Sequence, residues 1–370
     1  MRQMSMETPG QPDQSATAPD ARTAAREAGL RYVTDRQPGI RRKRAGKWFS
    51  YIGLDGRPIR DREELERIRR LGIPPAWSDV WICASPRGHL QATGRDAKGR
   101  KQYRYHDCWT RERSATKYER MIAFGEALHA IRAQVERDLK REGLPREKAI
   151  ATVVKLLDST LARVGNEEYA RQNHSYGLTT LRQRHVEIEG ASVRFEFRGK
   201  SGKSQRVEVR NRRLASVVRR YLDLPGYELF QYLDDSGERH VVKSDDVNEY
   251  LRAATCQDFT AKDFRTWGAT TLALRRLCEL GAGGTQTEAQ RNVREAIAAA
   301  AQQLGNTPAI CRKSYVNPRV IETYLDGVLI PEVARLEARS ACPGHDGLRP
   351  DETLTLLFLK ALERDMPVAS

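Results

Sequence analysis

Five widely spaced polar residues are of types that could carry out chemistry: Arg163, Lys200, Arg265, Asn306 and Tyr315. Tyr315 ends the stretch LGNTPAICRKSY, in which an alanine-rich helix stops at a Gly-Asn-Thr-Pro break and a short segment follows. Each of the other four has an ordinary explanation, because the arginines could be helix cations, Lys200 a turn residue and Asn306 an N-cap. Only the complete set points to a function.

Together the five residues meet the requirements of phosphoryl transfer. A phosphodiester attacked in line gains charge on its non-bridging oxygens, and two guanidinium groups can bind that charge bidentately. A lysine can protonate the leaving sugar oxygen, and a tyrosine held near cations can attack as its phenolate. This chemistry requires no metal ion, so the residues predict metal-independent phosphoryl transfer.

The net charge favours a polyanionic partner. The 370 residues include 64 Lys and Arg against 49 Asp and Glu, which gives a net charge of +15 and a pI near 9.7. Nucleic acid is favoured over an acidic membrane face. No run of about 18 apolar residues could span a bilayer, and the N-terminus lacks the apolar core of a signal peptide. We therefore expect a cytoplasmic protein that does not enter the membrane.

The cysteines predict reduced thiols and no structural zinc. They form no CxxC pair and do not combine with the seven histidines at metal-ligand spacing. Cys311, four residues before Tyr315, suggests a buried packing role first and oxidation sensitivity second.

The sequence divides into three parts. Residues 1–28 are nearly free of large apolar side chains, which predicts a disordered tail. Residues 29–110 contain short alternating runs such as KWFSYIG and HLQATG and a helical pattern near 61–71, which predicts a small antiparallel β-rich domain. Residues 111–370 carry apolar side chains at near 3.6 spacing and should form a mainly α domain.

A strand pattern interrupts the helical domain. Val193, Phe195 and Phe197 alternate with charged residues, and a Gly-Lys-Ser-Gly-Lys turn leads into another alternating run. This predicts an inserted three-stranded hairpin sheet, so the fold class is α+β. Later helices are predicted at about 212–222, 244–254, 260–280, 287–304 and 351–364, with Gly305 as a left-handed cap of the fourth.

Two glycine and lysine stretches do not support nucleotide binding. GRDAKGRK places Arg and Lys where a phosphate loop needs Lys and Ser/Thr, and GKSGKS lacks the required upstream glycine. The basic stretch GRDAKGRKQYRYH fits contact with a nucleic-acid backbone better, since Arg100 supplies charge and Tyr103 and Tyr105 share one face of a strand. A solvated basic strand with core tyrosines is an equally good explanation of this stretch alone.

On these motifs the chain resembles the type IB DNA topoisomerases, especially their bacterial and poxvirus-like branch, which share a catalytic domain with tyrosine recombinases. RVGNEEYARQNHSYGLTTLRQRHV resembles the family's first-arginine segment and contains Arg163. FRGKSGK resembles the lysine hairpin with Lys200, and KDFRTWGAT the second-arginine helix with Arg265. LGNTPAICRKSYVNP resembles the tyrosine segment with Asn306 and Tyr315.

The resemblance implies a mechanism. Tyr315 would attack a backbone phosphorus of duplex DNA to form a 3′-phosphotyrosyl link, while Lys200 as general acid protonates the 5′-hydroxyl that leaves. Arg163 and Arg265 would clamp the phosphate during cleavage and religation. Positive and negative supercoils would relax while one strand is open, without ATP or metal.

The likeness covers about Tyr32 to Ser370, including the N-terminal β domain. It implies that the domains at 29–110 and 111–370 form a C-shaped clamp around double-stranded DNA, with a hinge near 110–120, in a monomer associated with the nucleoid. The residues expected to contact the DNA are Arg100, Gln102, Tyr103, Tyr105 and Lys262.

Asn306 stands where many members of the family have histidine, whereas bacterial-type members resemble this chain in having asparagine. An amide can donate a hydrogen bond to a non-bridging oxygen but cannot relay a proton. We therefore expect Asn306 to act by hydrogen bonding in the transition state, without a histidine-dependent pH profile.

Three other interpretations remain open at this point. A tyrosine site-specific recombinase would use the same Arg, Lys, Arg and Tyr chemistry, although the N-terminal β domain and Asn306 argue against it. A non-catalytic DNA-binding protein would use these residues only for phosphate contacts. An RNA-directed enzyme rests on basicity alone.

Overall fold

The structure, a computed structural model, describes residues 18–46, 48–97, 99–234, 236–339 and 347–364. The chain separates into two compact units, Met1–Tyr118 and Glu119–Ser370.

The first unit is built on a five-stranded antiparallel sheet in the order β2-β1-β3-β4-β5. Its elements are α1 (Ala18–Glu27), β1 (Ile40–Ala45), β2 (Trp48–Ile52), α2 (Arg62–Arg70), β3 (Ser78–Ile82), β4 (Leu90–Arg95) and β5 (Lys101–Tyr105). The predicted strands and the helix near 61–71 are confirmed. β1 was not predicted, because its sequence IRRKRA lacks apolar alternation.

Side-chain alternation gives this sheet two apolar faces. Val80 and Ile82 of β3 pack in one cluster with Ile68 of α2, while Trp81 lies in a second cluster with Leu90. Successive residues of a strand point to opposite faces, so one strand serves both clusters.

The predicted disordered tail is wrong for Ala18–Glu27, which form α1. Ala21 and Ala25, one helical turn apart, pack against Leu30 and Trp109. Small alanines can cover a large indole, so a segment with few large apolar side chains still finds a packing partner. The rest of the predicted tail, residues 1–17, lies outside the described residues.

The stretch near 110–120, where a hinge is predicted, is helical. Helix α3 (Asp107–Leu139) runs through this stretch without a break, and the two compact units divide inside it, at Tyr118. The segment contains no Gly or Pro, and its polar residues are compatible with a helix even where the apolar period is absent.

The second unit is mainly helical. Its further helices are α4 (Arg146–Thr160), α5 (Glu167–Asn173), α6 (Arg212–Leu222), α7 (Ser244–Thr255), α8 (Ala261–Leu280), α9 (Gln286–Leu304), α10 (Pro308–Ser314), α11 (Pro318–Leu325), α12 (Leu329–Arg339) and α13 (Pro350–Arg364). β6 (Val186–Glu189), β7 (Ser192–Arg198) and β8 (Ser204–Arg210) form the predicted three-stranded antiparallel sheet. β9 (Gln231–Leu233) and β10 (Arg239–Val241) form a short hairpin that was not predicted.

Close packing at two glycines brings the helices of the second unit together. A Cβ at Gly268 of α8 would lie 2.5 Å from the side chain of Leu161, at the end of α4. A Cβ at Gly125 of α3 would lie 2.5 Å from the Trp267 ring. Helix α8 is therefore packed between α3 and the end of α4.

Among the described residues, no helix combines the length and the apolar character needed to cross a bilayer.

Candidate active site

Arg163 lies just after the C-terminus of α4, in a segment held by main-chain hydrogen bonds. Leu161 ends α4 with a φ of 55°, in the left-handed region. The Arg163 carbonyl accepts a hydrogen bond of 2.9 Å from the Leu178 amide. Gly177 approaches so closely that a Cβ there would lie 2.7 Å from the same carbonyl oxygen. The main chain is thus fixed, and the half-buried side chain extends from a defined position.

Arg265 is buried in α8 and joins the ends of two helices. Its Nη1 donates to the Leu161 carbonyl at the end of α4, and its Nη2 donates to the Leu304 carbonyl of α9 at 3.0 Å. Carbonyls at helix C-termini lack intrahelical partners and carry partial negative charge, so they suit a cation. Burial lowers the pKa of Arg265 to about 10, which leaves the guanidinium charged at neutral pH.

The helix break predicted from the sequence places the tyrosine. Gly305 ends α9 with a φ of 62°, as expected, and Thr307 caps α10. Tyr315 follows the last residue of α10, and its carbonyl accepts a 3.3 Å hydrogen bond from Thr270 Oγ1. The same hydroxyl accepts a 3.0 Å bond from the Asn317 amide. Thr270 therefore holds the chain on both sides of Val316.

Thr270 is a site-supporting residue that the sequence analysis missed. It lies five positions after Arg265, and it is fully buried. A threonine inside a helix commonly bonds its own backbone, so the sequence carried no signal for this contact.

Four of the five predicted residues meet directly. Arg163 Nη1 donates to Tyr315 Oη at 3.5 Å, and Arg163 Nη2 donates to Asn306 Oδ1 at 2.5 Å. The Arg265 guanidinium carbon lies 5.0 Å from the centroid of the Tyr315 ring. One phenol is thus in contact with two cations.

These cations change the acidity of the phenol. Burial alone would raise the pKa of Tyr315, whose residue is 8% exposed, but Arg265 and Arg163 outweigh it and lower the pKa to about 7. Nearby positive charge favours the ionised form of an acid. A large fraction of this tyrosine is therefore phenolate at neutral pH.

The site also contains buried donors without a partner among the described residues, namely Asn306 Nδ2 and Arg265 Nε. Buried polar atoms are nearly always hydrogen-bonded, so such donors call for an explanation. A bound anion would supply acceptors for both. The arrangement can therefore bind an anionic group next to an ionisable phenol.

Lys200 lies outside this direct contact group. It begins a 3-10 turn, Lys200–Gly202, between β7 and β8, and it is exposed. Gln205 of β8 brings this hairpin next to the helix break, because a Cβ at Gly305 would lie 2.4 Å from Gln205 Oε1. Gln205 also lies against Gly199, where a Cβ would be 2.7 Å from its Cγ. The lysine turn is thus packed against the residue that precedes Asn306.

The other predicted contact residues do not form one surface. Arg100 is paired with Asp96 at 2.7 Å, and the same carboxylate accepts a 3.0 Å bond from Gln102, which is buried. Tyr103 and Tyr105 share the opposite face of β5, with ring centroids 6.1 Å apart, and pack in the apolar clusters of the first unit. Alternation along the strand separates Gln102 from the two tyrosines.

Lys262 lies near the start of α8 and is exposed, three residues before Arg265. Cys311 is buried, in agreement with the packing role expected for it.

One cluster within the described residues has the side chains to hold a metal ion: Asp234, Glu238 and His240 of the β9–β10 hairpin, whose ligand atoms lie within 4.8 Å of one another. Sequence spacing did not reveal it. Asp234 already accepts hydrogen bonds from the Ser236 hydroxyl at 2.6 Å and the Glu238 amide at 2.8 Å. This three-residue cluster shares no residue with the site around Tyr315.

Comparisons with protein families match residues 48–96 and 99–328. The family described as "Eukaryotic DNA topoisomerase I, catalytic core" matches residues 99–328, which include all five predicted catalytic residues. The family described as "Bacterial DNA topoisomerase IB, N-terminal domain" matches residues 48–96.

Individual proteins are similar over most of the chain. DNA topoisomerase 1B of Acanthamoeba polyphaga mimivirus is 33% identical over 293 residues, which cover 77% of this chain and 87% of the relative. DNA topoisomerase 1B of vaccinia virus (strain Copenhagen) is 22% identical over 283 residues, covering 74% and 86%. DNA topoisomerase 1 of Mycosarcoma maydis is 26% identical over 172 residues, covering 42% of this chain and 17% of the relative.

Proposed function

The chain belongs to the type IB DNA topoisomerases and is an enzyme of that type, and we propose that it relaxes supercoiled duplex DNA through a covalent link to Tyr315. The observation that carries this assignment of the nucleophile is the contact between the Tyr315 phenol and two arginines, which lowers the phenol pKa to about 7. A nucleophile of this kind needs no separate base to remove its proton, because it is already partly ionised.

In the proposed cleavage step, the phenolate oxygen attacks a backbone phosphorus and the bond to the 5′-oxygen breaks. The phosphorus then carries a 3′-phosphotyrosyl ester. Arg163 and Arg265 bind the charge that develops on the non-bridging oxygens, and Asn306 donates a hydrogen bond through Nδ2. The contacts that hold these three side chains support this assignment, since preorganised groups need little rearrangement during the reaction.

Lys200 is proposed to supply the proton that the leaving 5′-oxygen requires. In religation the 5′-hydroxyl returns the proton to the neutral amine and attacks the phosphotyrosyl phosphorus, which releases the phenolate. One ester replaces another in each direction, so the energy of the broken bond is kept. No ATP and no metal ion are required in this scheme, and the downstream duplex can rotate while the strand is open.

We also propose that the two units bind opposite sides of the duplex as a C-shaped clamp, in a monomer that acts on DNA in the cytoplasm. The candidate DNA contacts remain Arg100, Gln102, Tyr103, Tyr105 and Lys262. The excess of 15 positive charges should make binding fall steeply with salt, because phosphate contacts release counterions.

The test is relaxation of supercoiled plasmid in EDTA without ATP, with Tyr315→Phe as the matched variant. Half of each reaction is stopped with SDS and assayed for protein linked to nicked DNA. Relaxation and trapping by the parent, and neither by the variant, would support the proposal.

Other outcomes identify other functions. DNA binding without relaxation or trapping, across several salt concentrations, would leave a non-catalytic DNA-binding protein. Trapping confined to a defined sequence, with strand exchange between two duplexes, would indicate a recombinase. Cleavage of ribonucleotide substrates in preference to DNA would indicate an RNA-directed enzyme.

A further inference from the structure

Helix α13 lies beyond residues 99–328, which match the catalytic core, yet it packs against α8, the helix of Arg265. Glu352, near the start of α13, shares Arg132 with Asp158 in the last turn of α4, and Arg163 follows the end of that helix. Helix α13 starts at Pro350, and the residues that face the core include Glu352 and Leu356, one helical turn apart. These two side chains reach different parts of the site.

Glu352 belongs to a group of four charges, three of which are largely buried. Arg132 of α3 makes bidentate contacts with two carboxylates, Asp158 of α4 at 2.7 Å and Glu352 at 2.7 Å. Arg349 completes the group, with Nη2 at 3.2 Å from Asp158 and Nη1 at 3.5 Å from Glu352. The Asp158 and Glu352 side chains are only 8% and 5% exposed. Two cations thus balance two buried carboxylates, with Arg349 on the solvent side of the group.

This group fixes the end of α4. Asp158 lies in the last turn of that helix, where the helix dipole would disfavour a carboxylate that had no cation beside it. Arg349 Nη2 also lies 3.4 Å from the Asp158 carbonyl. The chain then passes through Leu161, whose carbonyl binds Arg265, to Arg163. Any displacement of the last turn of α4 therefore moves one guanidinium and removes a partner of the other.

Leu356 connects α13 to α8, the helix that carries Arg265. The Cβ position of Gly125 lies 2.5 Å from the Trp267 ring and 3.2 Å from Leu356 Cδ1, so all three pack together. Leu356 and Trp267 are both 2% exposed. Trp267 lies two residues after Arg265 in α8, and its packing sets the rotation of that helix.

We propose that α13 is a positioning element for the active site, which sets the geometry of Arg163 through Glu352 and that of Arg265 through Leu356. The proposal rests on the catalytic roles proposed above for the two arginines. Neither Glu352 nor Leu356 touches the reacting atoms. Their effect is to hold two guanidiniums around one phosphate and one phenol.

Helix α13 offers a matched pair of variants for the test. Glu352→Gln removes the buried carboxylate with almost no change of shape. Asp351→Asn makes the same change at the next residue, where the carboxylate pairs with Arg275 of α8 at 3.1 Å and both side chains are 40% or more exposed. Each variant is measured as the full-length protein for single-turnover DNA cleavage, for the pH dependence of that rate and for thermal unfolding.

Glu352→Gln is expected to slow cleavage about tenfold to a hundredfold, since small misplacements of catalytic groups have effects of this size. The midpoint of its pH profile should move upward, because a displaced Arg163 no longer holds the phenol in its ionised form. Asp351→Asn should change neither quantity. A lower unfolding temperature for Glu352→Gln, with an unchanged rate and pH midpoint below that temperature, would overturn the proposal.

If Glu352→Gln does not fold, Arg349→Gln replaces it as the test variant. The Arg349 side chain is 53% exposed, and its loss leaves the Arg132 contacts intact, so folding should survive while the end of α4 loosens. The expected result is a slower cleavage rate and a raised pH midpoint, and an unchanged rate would count against the proposal. The parent protein separates the two hypotheses: if it forms no covalent adduct, the proposed function fails, whereas an active parent with unaffected variants sinks only the role of α13.

Discussion

Arg265 and Lys200 show two opposite ways of holding a cation in this molecule. Arg265 is 4% exposed, and two helix-terminal carbonyls fix its guanidinium. Lys200 is exposed in the turn between β7 and β8, and the hairpin is positioned through Gln205 and Gly305. A group that binds transition-state charge acts best when it is preorganised, whereas a group that transfers a proton must approach and leave the reacting oxygen. The difference in burial therefore agrees with the different roles that the proposed mechanism gives the two cations.

The largest effect is expected for Arg265→Lys. A single ammonium cannot span the Leu161 and Leu304 carbonyls and also face the phosphate, so cleavage should fall about a thousandfold, the upper range for loss of a preorganised donor. Single-turnover cleavage of a short duplex measures the change. Arg275→Lys, at a half-exposed position of the same helix, is the control and should leave the rate unchanged. A comparable loss in both variants would show that α8 itself had been disturbed.

Lys200→Ala should slow cleavage about a hundredfold, which is within the range for removal of a general acid. The loss should disappear on a substrate with a 5′-bridging sulfur, because a thiolate leaves without a proton. Lys203→Ala, at an exposed position next to the same turn, should behave like the parent on both substrates. If the sulfur substrate does not recover the rate, Lys200 has a role other than proton donation.

The pKa of Tyr315 makes a prediction about pH. In the free protein the phenol should titrate near 7, well below the ordinary value of 10, so the phenolate and its stabilising contacts are lost as pH falls through 7. Below that point each pH unit removes about tenfold of the nucleophile. The ultraviolet absorbance of the phenolate, compared between parent and Tyr315→Phe, measures the titration. A midpoint near 10 would show that the arginines do not act on this phenol.

The smallest effect is expected at Gly305, where the lysine hairpin packs against the end of α9 through Gln205. Gly305→Ala and Gly190→Ala both place a side chain at positive φ, which costs roughly 1–2 kcal/mol, but only Gly305 has a neighbour, Gln205, in the way. Both variants should lose similar stability from backbone strain. Only Gly305→Ala should also slow cleavage several-fold, because the lysine hairpin must shift. Equal cleavage rates would show that Gln205 yields without moving the hairpin.

Much of the second unit was predictable from local pattern. The helix at 260–280, the break at Gly305 and the three-stranded hairpin sheet all follow from apolar period and turn residues, and the structure confirms them. Helix α1 was missed because its stability depends on packing against Trp109, which is distant in sequence. Propensity describes a segment by itself and contains no information about such a partner.

The sequence by itself determined which residue types are available for catalysis, their order along the chain and the helix break that presents Tyr315. Only the tertiary structure decided that Arg163, Asn306 and Tyr315 touch, that Gln102 is buried, and that Arg265 binds the ends of two helices. Local patterns report interactions between residues close in sequence, whereas these contacts span from 39 to 152 positions and depend on how whole helices pack. The tertiary structure also decides the acidity of the Tyr315 phenol, because that acidity arises from charges that only the fold brings together.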